Sequence, residues 1–426
     1  MKSAQNSIQK IKRKQALIFY LRDLKQKILK RASVLFITTQ LPYPPKSGGT
    51  IKSWNYVKFL SQNHVLSIAS LLKDDDKKHV VDFCKALKLE HFEQEEIEIQ
   101  RTAFNLLKSY FVSPCLNVFR NYSKNFQSKI NSLAKKADVI LVDHYEVFQY
   151  VSPNFKGKIV MHTHNAEFML WQRMSELTTN PIKKLILKVE ATRVKSYEAA
   201  IFEKSDLIYS TPSDIELYKK HGLNTSKHAL TYHLGNDSLL TLPDLKFSST
   251  EKSLTFIGTL SWEPNIDGIC WFIDQCWSSI KQVHPDVKLY ILGSKPNERI
   301  LKSANNDPNI VFTGFVQDLD TYLQKTRVYI APLRFGSGMK VKVLEGLYRG
   351  TPTVTTSVGA EGLDLVNGSN CVIADSPQDF VAGCLTLFEN EALWNNFRDK
   401  TRVLAAKKYT WNALFTTMEK NLQKIL

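Results

Sequence analysis

Runs of residues that are apolar at every position constrain this chain more than any other feature. SVLFITTQ (Ser33–Gln40), HVLSIASLL (His64–Leu72), ADVILVDHY (Ala137–Tyr145), KIVMHTHN (Lys158–Asn165) and DLIYST (Asp206–Thr211) leave little or no polar face for water. A strand of that kind must be covered on both sides, which is the condition of a parallel sheet sandwiched between helices. Helical stretches fall between them, from about Ile51 to Leu60 and from Pro181 to Lys204. From Leu254 the pattern starts again: LTFIGTL, VKLYILG, NIVFTGF, RVYIAPL, TPTVTTS and CVIAD are strands. An amphipathic helix over NIDGICWFIDQCWSSIKQV and another after Gly338 lie among them. Strands alternating with helices predict doubly wound α/β domains, and two such series predict two of them facing a cleft.

The expected division is a basic arm at 1–31, a first Rossmann-like domain at 32–235 and a polar linker at 236–253. A second Rossmann-like domain follows at 254–405, then a C-terminal helix at 406–426 packing back on the first domain. A chain of 426 residues suits two such domains.

Charge is unevenly spread. The formal net charge is +16, and residues 1–31 hold ten Lys or Arg against the single Asp23, a local +9. Ile11, Leu17, Ile18, Leu21, Leu24 and Ile28 recur there at roughly helical spacing. A basic amphipathic helix can lie on an anionic membrane surface; a solvated arm is the alternative. No nucleic-acid motif accompanies the charge. The longest early apolar run, Ala16 to Leu21, is far short of the roughly 20 residues that span a bilayer. Six cysteines without CxxC spacing read as buried thiols of a reducing compartment, so the protein is expected in the cytoplasm, peripheral at the inner membrane face.

The stretch LRFGSGMKVKVLEGLYRGTPTV (Leu333–Val354) carries the chemistry. Gly336 and Gly338 stand before a helix with Lys340, Lys342 and Glu345, and a strand follows at once. Side-chain-free backbone at a helix N-terminus, with cations beside it, suits a phosphate group. Lys340 and Lys342, two residues apart, point to different faces, so only one is expected to reach it. In the first half, Gly48 and Gly49 follow the first strand. MHTHNAE (Met161–Glu167) ends another strand with His162 and His164 on one side, and VDHYE (Val142–Glu146) ends a third. No third ligand at zinc-type spacing joins the two histidines, so no metal is expected.

Taken together, LPYPPKSGGT, FIGTLSWEPNIDG, FTGFV, PLRFGSGMKVKVLEGLYRGTPTVTTSVGAEGL and YTWNALF resemble the GT-B glycosyltransferases of family 4, the group 1 type, over nearly the whole chain from Ser33. The resemblance implies a GT-B fold and retaining transfer of a sugar from a nucleotide diphosphate sugar. The donor would bind the C-terminal domain and the acceptor the N-terminal one, with neither metal nor cofactor. It implies donor contacts from Gly258, Thr259, Phe315, Val316, Gly336, Ser337, Gly338 and Glu345. Phe315 and Val316 would line the base pocket, and Glu345 would accept from the ribose hydroxyls. Gly48 and Gly49 would approach the donor phosphate and the acceptor, and His164 would stand in the cleft near the transferred sugar. From the strand end itself, Asp143, His144 and Glu146 are expected to face the acceptor.

Two departures matter. The family's first glutamate, eight residues before Glu345, is Ser337 here, which leaves the usual sugar contact open. The arginine and lysine that follow the first C-terminal strand in many members are replaced by Gly258-Thr259 and EPN. Lys340 or Lys342, helped by Arg334, is expected to supply that charge instead, because a departing diphosphate gains negative charge. The expected function is transfer from a UDP-sugar to a glycan or lipid-linked acceptor in surface polysaccharide synthesis. A nucleotide-sugar epimerase of the same shape and a non-catalytic sugar-nucleotide or glycan-binding subunit are the alternatives.

Overall fold

The computed structural model describes residues 31–426 apart from 46–47, 98, 101 and 337–338. The arm at 1–31, except Arg31, and the site residues Ser337 and Gly338 therefore lie outside the described residues.

Two all-parallel sheets form the frame. The first has seven strands in the order β3-β2-β1-β4-β5-β6-β7: β1 (Ser33–Thr38), β2 (Val65–Leu72), β3 (His91–Glu96), β4 (Val139–Asp143), β5 (Lys158–His162), β6 (Leu207–Ser210) and β7 (His228–Leu230). The second has six in the order β10-β9-β8-β11-β12-β13: β8 (Glu251–Ile257), β9 (Lys288–Leu292), β10 (Ile310–Gly314), β11 (Thr326–Ala331), β12 (Thr353–Thr355) and β13 (Val372–Ile373). The strands read from unbroken apolar runs are the central ones: every residue of β4 and of β11 is buried. Each sheet is built outward from its first strand and reverses there, so the topological switch points fall between β1 and β4 and between β8 and β11. Ligands of doubly wound sheets bind at such points, beyond the carboxyl ends of the strands.

Eight helices matter for the site and the surface. They are α1 (Gly48–Asn63), α2 (Ala103–Val112), α3 (Glu167–Leu177), α4 (Pro181–Lys204), α5 (Glu263–Phe272), α6 (Val341–Arg349), α7 (Glu391–Lys408) and α8 (Trp411–Ile425). The α5 helix starts at Glu263 with Pro264 in its first turn, where the missing N–H costs nothing, and runs on through a π turn at Ile273–Trp277. The stretch read as a linker is partly structured. It carries 3₁₀ turns at Asp237–Thr241 and Phe247–Ser249, and β8 already begins at Glu251.

The last helix lies on the first sheet. Phe415 stacks on Tyr56 of α1 at 5.2 Å, the Tyr209 hydroxyl donates to the Met418 carbonyl, and His64 Nε2 meets Glu419 Oε2 at 2.9 Å. One hydrophobic cluster runs from β1 and α1 through α8 to Val343, Leu344 and Leu347 of α6, so the sheets share a core.

Candidate active site at the two switch points

At the first switch point, β4 and β5 pair in parallel with Asp143 opposite His162. That register brings the end of β4 against the histidines that follow β5. Asp143 is fully buried and accepts from five donors. His162 Nδ1 (2.7 Å) and His164 Nε2 (2.8 Å) reach Oδ1, while Ser53 Oγ (2.7 Å), Thr38 Oγ1 (3.3 Å) and His144 Nδ1 (3.3 Å) reach Oδ2. Ser53 comes from α1, which also sends the buried Lys52 to the Thr163 carbonyl at 3.2 Å.

The charges sort themselves. Burial alone would raise the Asp143 carboxyl, but the surrounding imidazoles hold it well below the carboxylate range. Burial works against a charged His144 and is outweighed by Asp143, which lifts it to about 9. Burial, with the charge of Lys52, pushes His162 down to about 4. Burial and the charged His144 likewise keep His164 neutral. His144 stacks on His164 with ring centres 4.0 Å apart and planes within 4°.

This network assigns the His164 tautomer. An ionised carboxylate can only accept, so Nε2 carries the proton and Nδ1 keeps a lone pair. Nδ1 is buried and has no hydrogen-bond partner among the described residues. It points at α1: a Cβ on Gly49 would stand 3.5 Å from it, while one on Gly48 would meet nothing within 4 Å. Gly48 and Gly49 thus form an open first turn of a 16-residue helix beside a hydrogen-bond acceptor.

Asp143 corrects the sequence reading. Expected to face an acceptor, it is buried behind His164 and positions it. Asp143, His144 and His164, a group that leaves out His162, place ligand atoms within 4.8 Å of one another. Here the carboxylate oxygens of that trio are engaged by the five protein donors.

At the second switch point, three glycines end three adjacent strands. Gly258 follows β8, Gly293 follows β9 and Gly314 ends β10, linked by Gly258 N–H to the Leu292 carbonyl and Gly293 N–H to the Gly314 carbonyl, both 3.0 Å. A Cβ on Gly293 would fall 2.1 Å from the Gly258 carbonyl oxygen, so this edge stays bare. Gly314 turns with φ 71°, and Phe315 beyond it is 80% exposed, with Val316 half-buried. Thr259 is exposed, and its carbonyl accepts from Asn265 Nδ2 at 2.8 Å.

The two lysines stand at the start of α6, and Lys342 reaches that edge through Asn265. Lys340 caps α6 four residues after Gly336, whose φ of 121° favours glycine; a Cβ there would stand 3.9 Å from Lys340 Nζ. Lys340 Nζ reaches Glu361 at 3.3 Å. Lys342 Nζ donates to Asn265 Oδ1 on α5 and lies 5.6 Å from the centre of the Phe256 ring. Burial, and then the charge of Lys340, lower Lys342 to about 8. The two ammonium groups have different partners, Glu361 for Lys340 and Asn265 for Lys342, but are close enough for the charge of Lys340 to act on Lys342. Asn265 stands in the EPN segment, and Lys342 brings its charge to that segment. Arg334 differs from its expected role: it is committed to Asp267, with Nε donating at 2.8 Å and Nη2 to the other oxygen.

Glu345 lies on the inner face of α6. Burial lifts its carboxyl to about 7, against the pull of the Asn236 N–H that Oε1 accepts at 3.1 Å. Oε2 is buried without a partner among the described residues. The crossover from sheet to sheet ties the two halves together. His233 Nε2 donates to the His164 carbonyl at 3.3 Å, and two residues on, Gly235 passes Glu345 so closely that a Cβ would sit 2.3 Å from Oε1. Trp411 of α8 closes this corner by donating Nε1 to the Gly235 carbonyl at 3.1 Å.

Gly235→Ala is expected to displace the Glu345 carboxylate and break its bond to Asn236. Loss of about 1–3 kcal/mol of stability in urea unfolding, with an unchanged m-value, checks it. Lys52, Ser53, His233, Gly235 and Asn265 were not singled out from sequence. Their partners lie far away along the chain, and only Asn265 stood in a segment already marked as unusual.

Comparisons with known proteins bear on the fold and on the second sheet. Residues 251–390 match the family model described as glycosyl transferases group 1. An uncharacterized 44.6 kDa protein in the cps region of Klebsiella pneumoniae is 22% identical over 374 residues, covering 84% of this chain and 92% of that one. Among solved structures, Anabaena HepE in complex with UDP-glucose superposes with a TM-score of 0.62 at 11% identity, covering 92% of this chain and all of that one. WaaG, a glycosyltransferase involved in lipopolysaccharide biosynthesis, gives 0.58 at 14% identity, covering 91% and 98%. These two likenesses concern the fold. With the group 1 model matched over the second sheet and the fold shared over nearly the whole chain, the protein is a glycosyltransferase of GT-B architecture.

Proposed function

We propose that the protein is a retaining transferase of the family 4 type. It would move a sugar from a UDP-sugar to a glycan or lipid-linked acceptor in surface polysaccharide assembly. The observation that carries this reading is the pair Lys340 and Lys342 beside Gly336 and the bare glycine edge. Lys342 is a half-buried ammonium whose hydrogen-bond partner is the neutral Asn265. A partly buried charge without a counter-ion among the described residues is costly, and a diphosphate would supply the counter-ion. Glu345 Oε2 offers the acceptor a ribose hydroxyl needs, and Phe315 an exposed ring for the base. UDP rather than another nucleotide, and surface glycan as the setting, are supported by UDP-glucose bound to HepE, by the lipopolysaccharide role of WaaG and by the cps location of the Klebsiella relative.

In this reading the acceptor hydroxyl attacks the anomeric carbon on the face the diphosphate leaves. The new C–O bond forms as the old one breaks, and the proton passes to the departing phosphate oxygen. Lys340 and Lys342 stabilise the charge that develops there, and His164 Nδ1 accepts from a hydroxyl of the transferred sugar, fixing its position. Asp143, the carboxylate beside His164, is turned to the imidazoles, in keeping with a transfer that uses no carboxylate nucleophile.

Thermal shift against UDP, GDP and ADP tests the donor class. UDP at about 100 times its dissociation constant should add roughly 2.7 kcal/mol of stability. The shift is expected with UDP alone and is expected to shrink in Glu345→Gln. A folded protein that responds to none of the three would overturn the reading.

A further inference from the structure

The helix α2 is apolar yet barely touches the body of the protein. Its sequence is AFNLLKSYFV, and of its ten residues only Ser109 is buried. A polar tether holds it in place. Arg193 of α4 donates to the Ser109 carbonyl (2.7 Å), the Ser109 hydroxyl (3.2 Å) and the Ser113 carbonyl (2.9 Å), and lies 4.1 Å from the Tyr110 ring centre. Phe104, Leu107 and Phe111, spaced i, i+3, i+7, thus form one stripe in water, with Phe104 73% and Phe111 87% exposed. The first turns of α4 repeat the pattern. Ile182, Leu185 and Val189 have the same spacing, and Ile182 is 72% exposed. Two helices joined through Arg193 therefore present apolar stripes that no described residue covers, unlike the usual scatter of single exposed side chains.

The charge around the stripes selects the partner. The α2 helix has Lys108 and no acid; residues 181–189 have Lys183, Lys184 and Lys188 and no acid. Large apolar side chains ringed by lysines fit the boundary of an anionic bilayer, where the apolar groups enter the acyl region and the ammonium groups meet headgroup phosphates. The first 30 residues hold nine Lys or Arg against one Asp, so covering the ledge with them would set like charge against like. A second copy docked face to face would do the same. The ledge also leads toward the cleft. The α3 helix packs along α4 and exposes Met174, while its preceding turn gives Leu170 and Arg173 to the pocket of about 170 Å³ that holds His164.

We propose that the α2–α4 face is a docking surface for an anionic lipid bilayer. It is distinct from the basic arm and independent of which donor the enzyme uses. Sedimentation of the full chain with phosphatidylcholine vesicles containing about one-third phosphatidylglycerol tests it. Phe104→Asp/Leu107→Asp/Phe111→Asp is expected to lower the vesicle-bound fraction at least tenfold while the melting shift with UDP, if the wild type shows one, stays the same. Lys183→Glu/Lys184→Glu/Lys188→Glu is expected to lower it as well and to remove most of its salt dependence. Far-ultraviolet circular dichroism of both variants reports folding whatever the donor. Wild type that does not sediment, or a folded triple-Asp variant that sediments like wild type, would overturn the proposal. So would a wild-type dimer that the same substitutions split, because the covering partner would then be a second copy.

Discussion

Asp143→Asn is expected to cost about a hundredfold or more in kcat, read as UDP release from the UDP-sugar, while the melting shift with UDP remains. The carboxylate holds two neutral imidazoles as their common acceptor, and one of them is His164. An amide offers one oxygen and an N–H pair, so it cannot accept from His162, His164, Ser53, Thr38 and His144 together. His164 is then free to carry its proton on Nδ1, which turns the acceptor facing Gly49 into a donor. UDP binding is spared because the lysines and Glu345 stand on the other sheet. His164→Ala is expected to give the same loss, and the double variant little more, since both act through one imidazole.

The same substitution carries a pH signature that mere misfolding would not. His144 is raised from 6.5 to about 9 in the folded protein by Asp143. Its contribution to stability is complete below about 6.5 and is lost as pH rises through 9. His162 is lowered from 6.5 to about 4, so its effect runs the other way: stability falls as pH drops from 6.5 toward 4, when the unfolded chain takes up the proton first. The wild-type melting temperature should therefore decline between pH 6.5 and 9, and this decline should flatten in Asp143→Asn.

What the sequence discloses and what it hides follow from the same physics. The central strands were legible because burial on both faces forbids polar residues, as in Val139–Asp143 and Thr326–Ala331. The edge strand His91–Glu96 was not: HFEQEE pairs on one side only, with β2, and keeps its polar residues in water. The edge strand His228–Leu230 escaped because three residues are too few to show a pattern. At the site, a local motif announced Gly336, Lys340, Lys342 and Glu345. The partners that give them meaning did not show, because Lys342 meets Asn265 across 77 residues and Glu345 meets Asn236 across 109. Asp143 was legible as a strand-end carboxylate, but whether it faced the cleft or the histidines depended on the register of β4 against β5.

The opposite half of the site yields the sharpest separation of stability from function. Lys342→Met is expected to raise the melting temperature of the free protein and to lower kcat/KM by about two to three orders of magnitude. Methionine keeps roughly the length of the side chain and gives up the cation over the Phe256 ring, while removing an ammonium that burial and Lys340 both disfavour. The free protein therefore loses a cost. The transition state loses a cation beside the departing phosphate, where Lys340, already turned toward Glu361, cannot supply two charges. Lys342→Arg should not restore activity, since a planar guanidinium needs a wider seat than the one between Asn265 and Phe256. The pH dependence supplies the check. In the free protein Lys342 titrates near 8 rather than 10.5. A bound diphosphate favours the charged form, so UDP affinity should be full below about pH 8 and fall as pH rises above it. Calorimetry in two buffers of different ionisation enthalpy should record proton uptake on UDP binding near pH 8.5. An affinity and proton count unchanged in Lys342→Met would show that the diphosphate binds elsewhere.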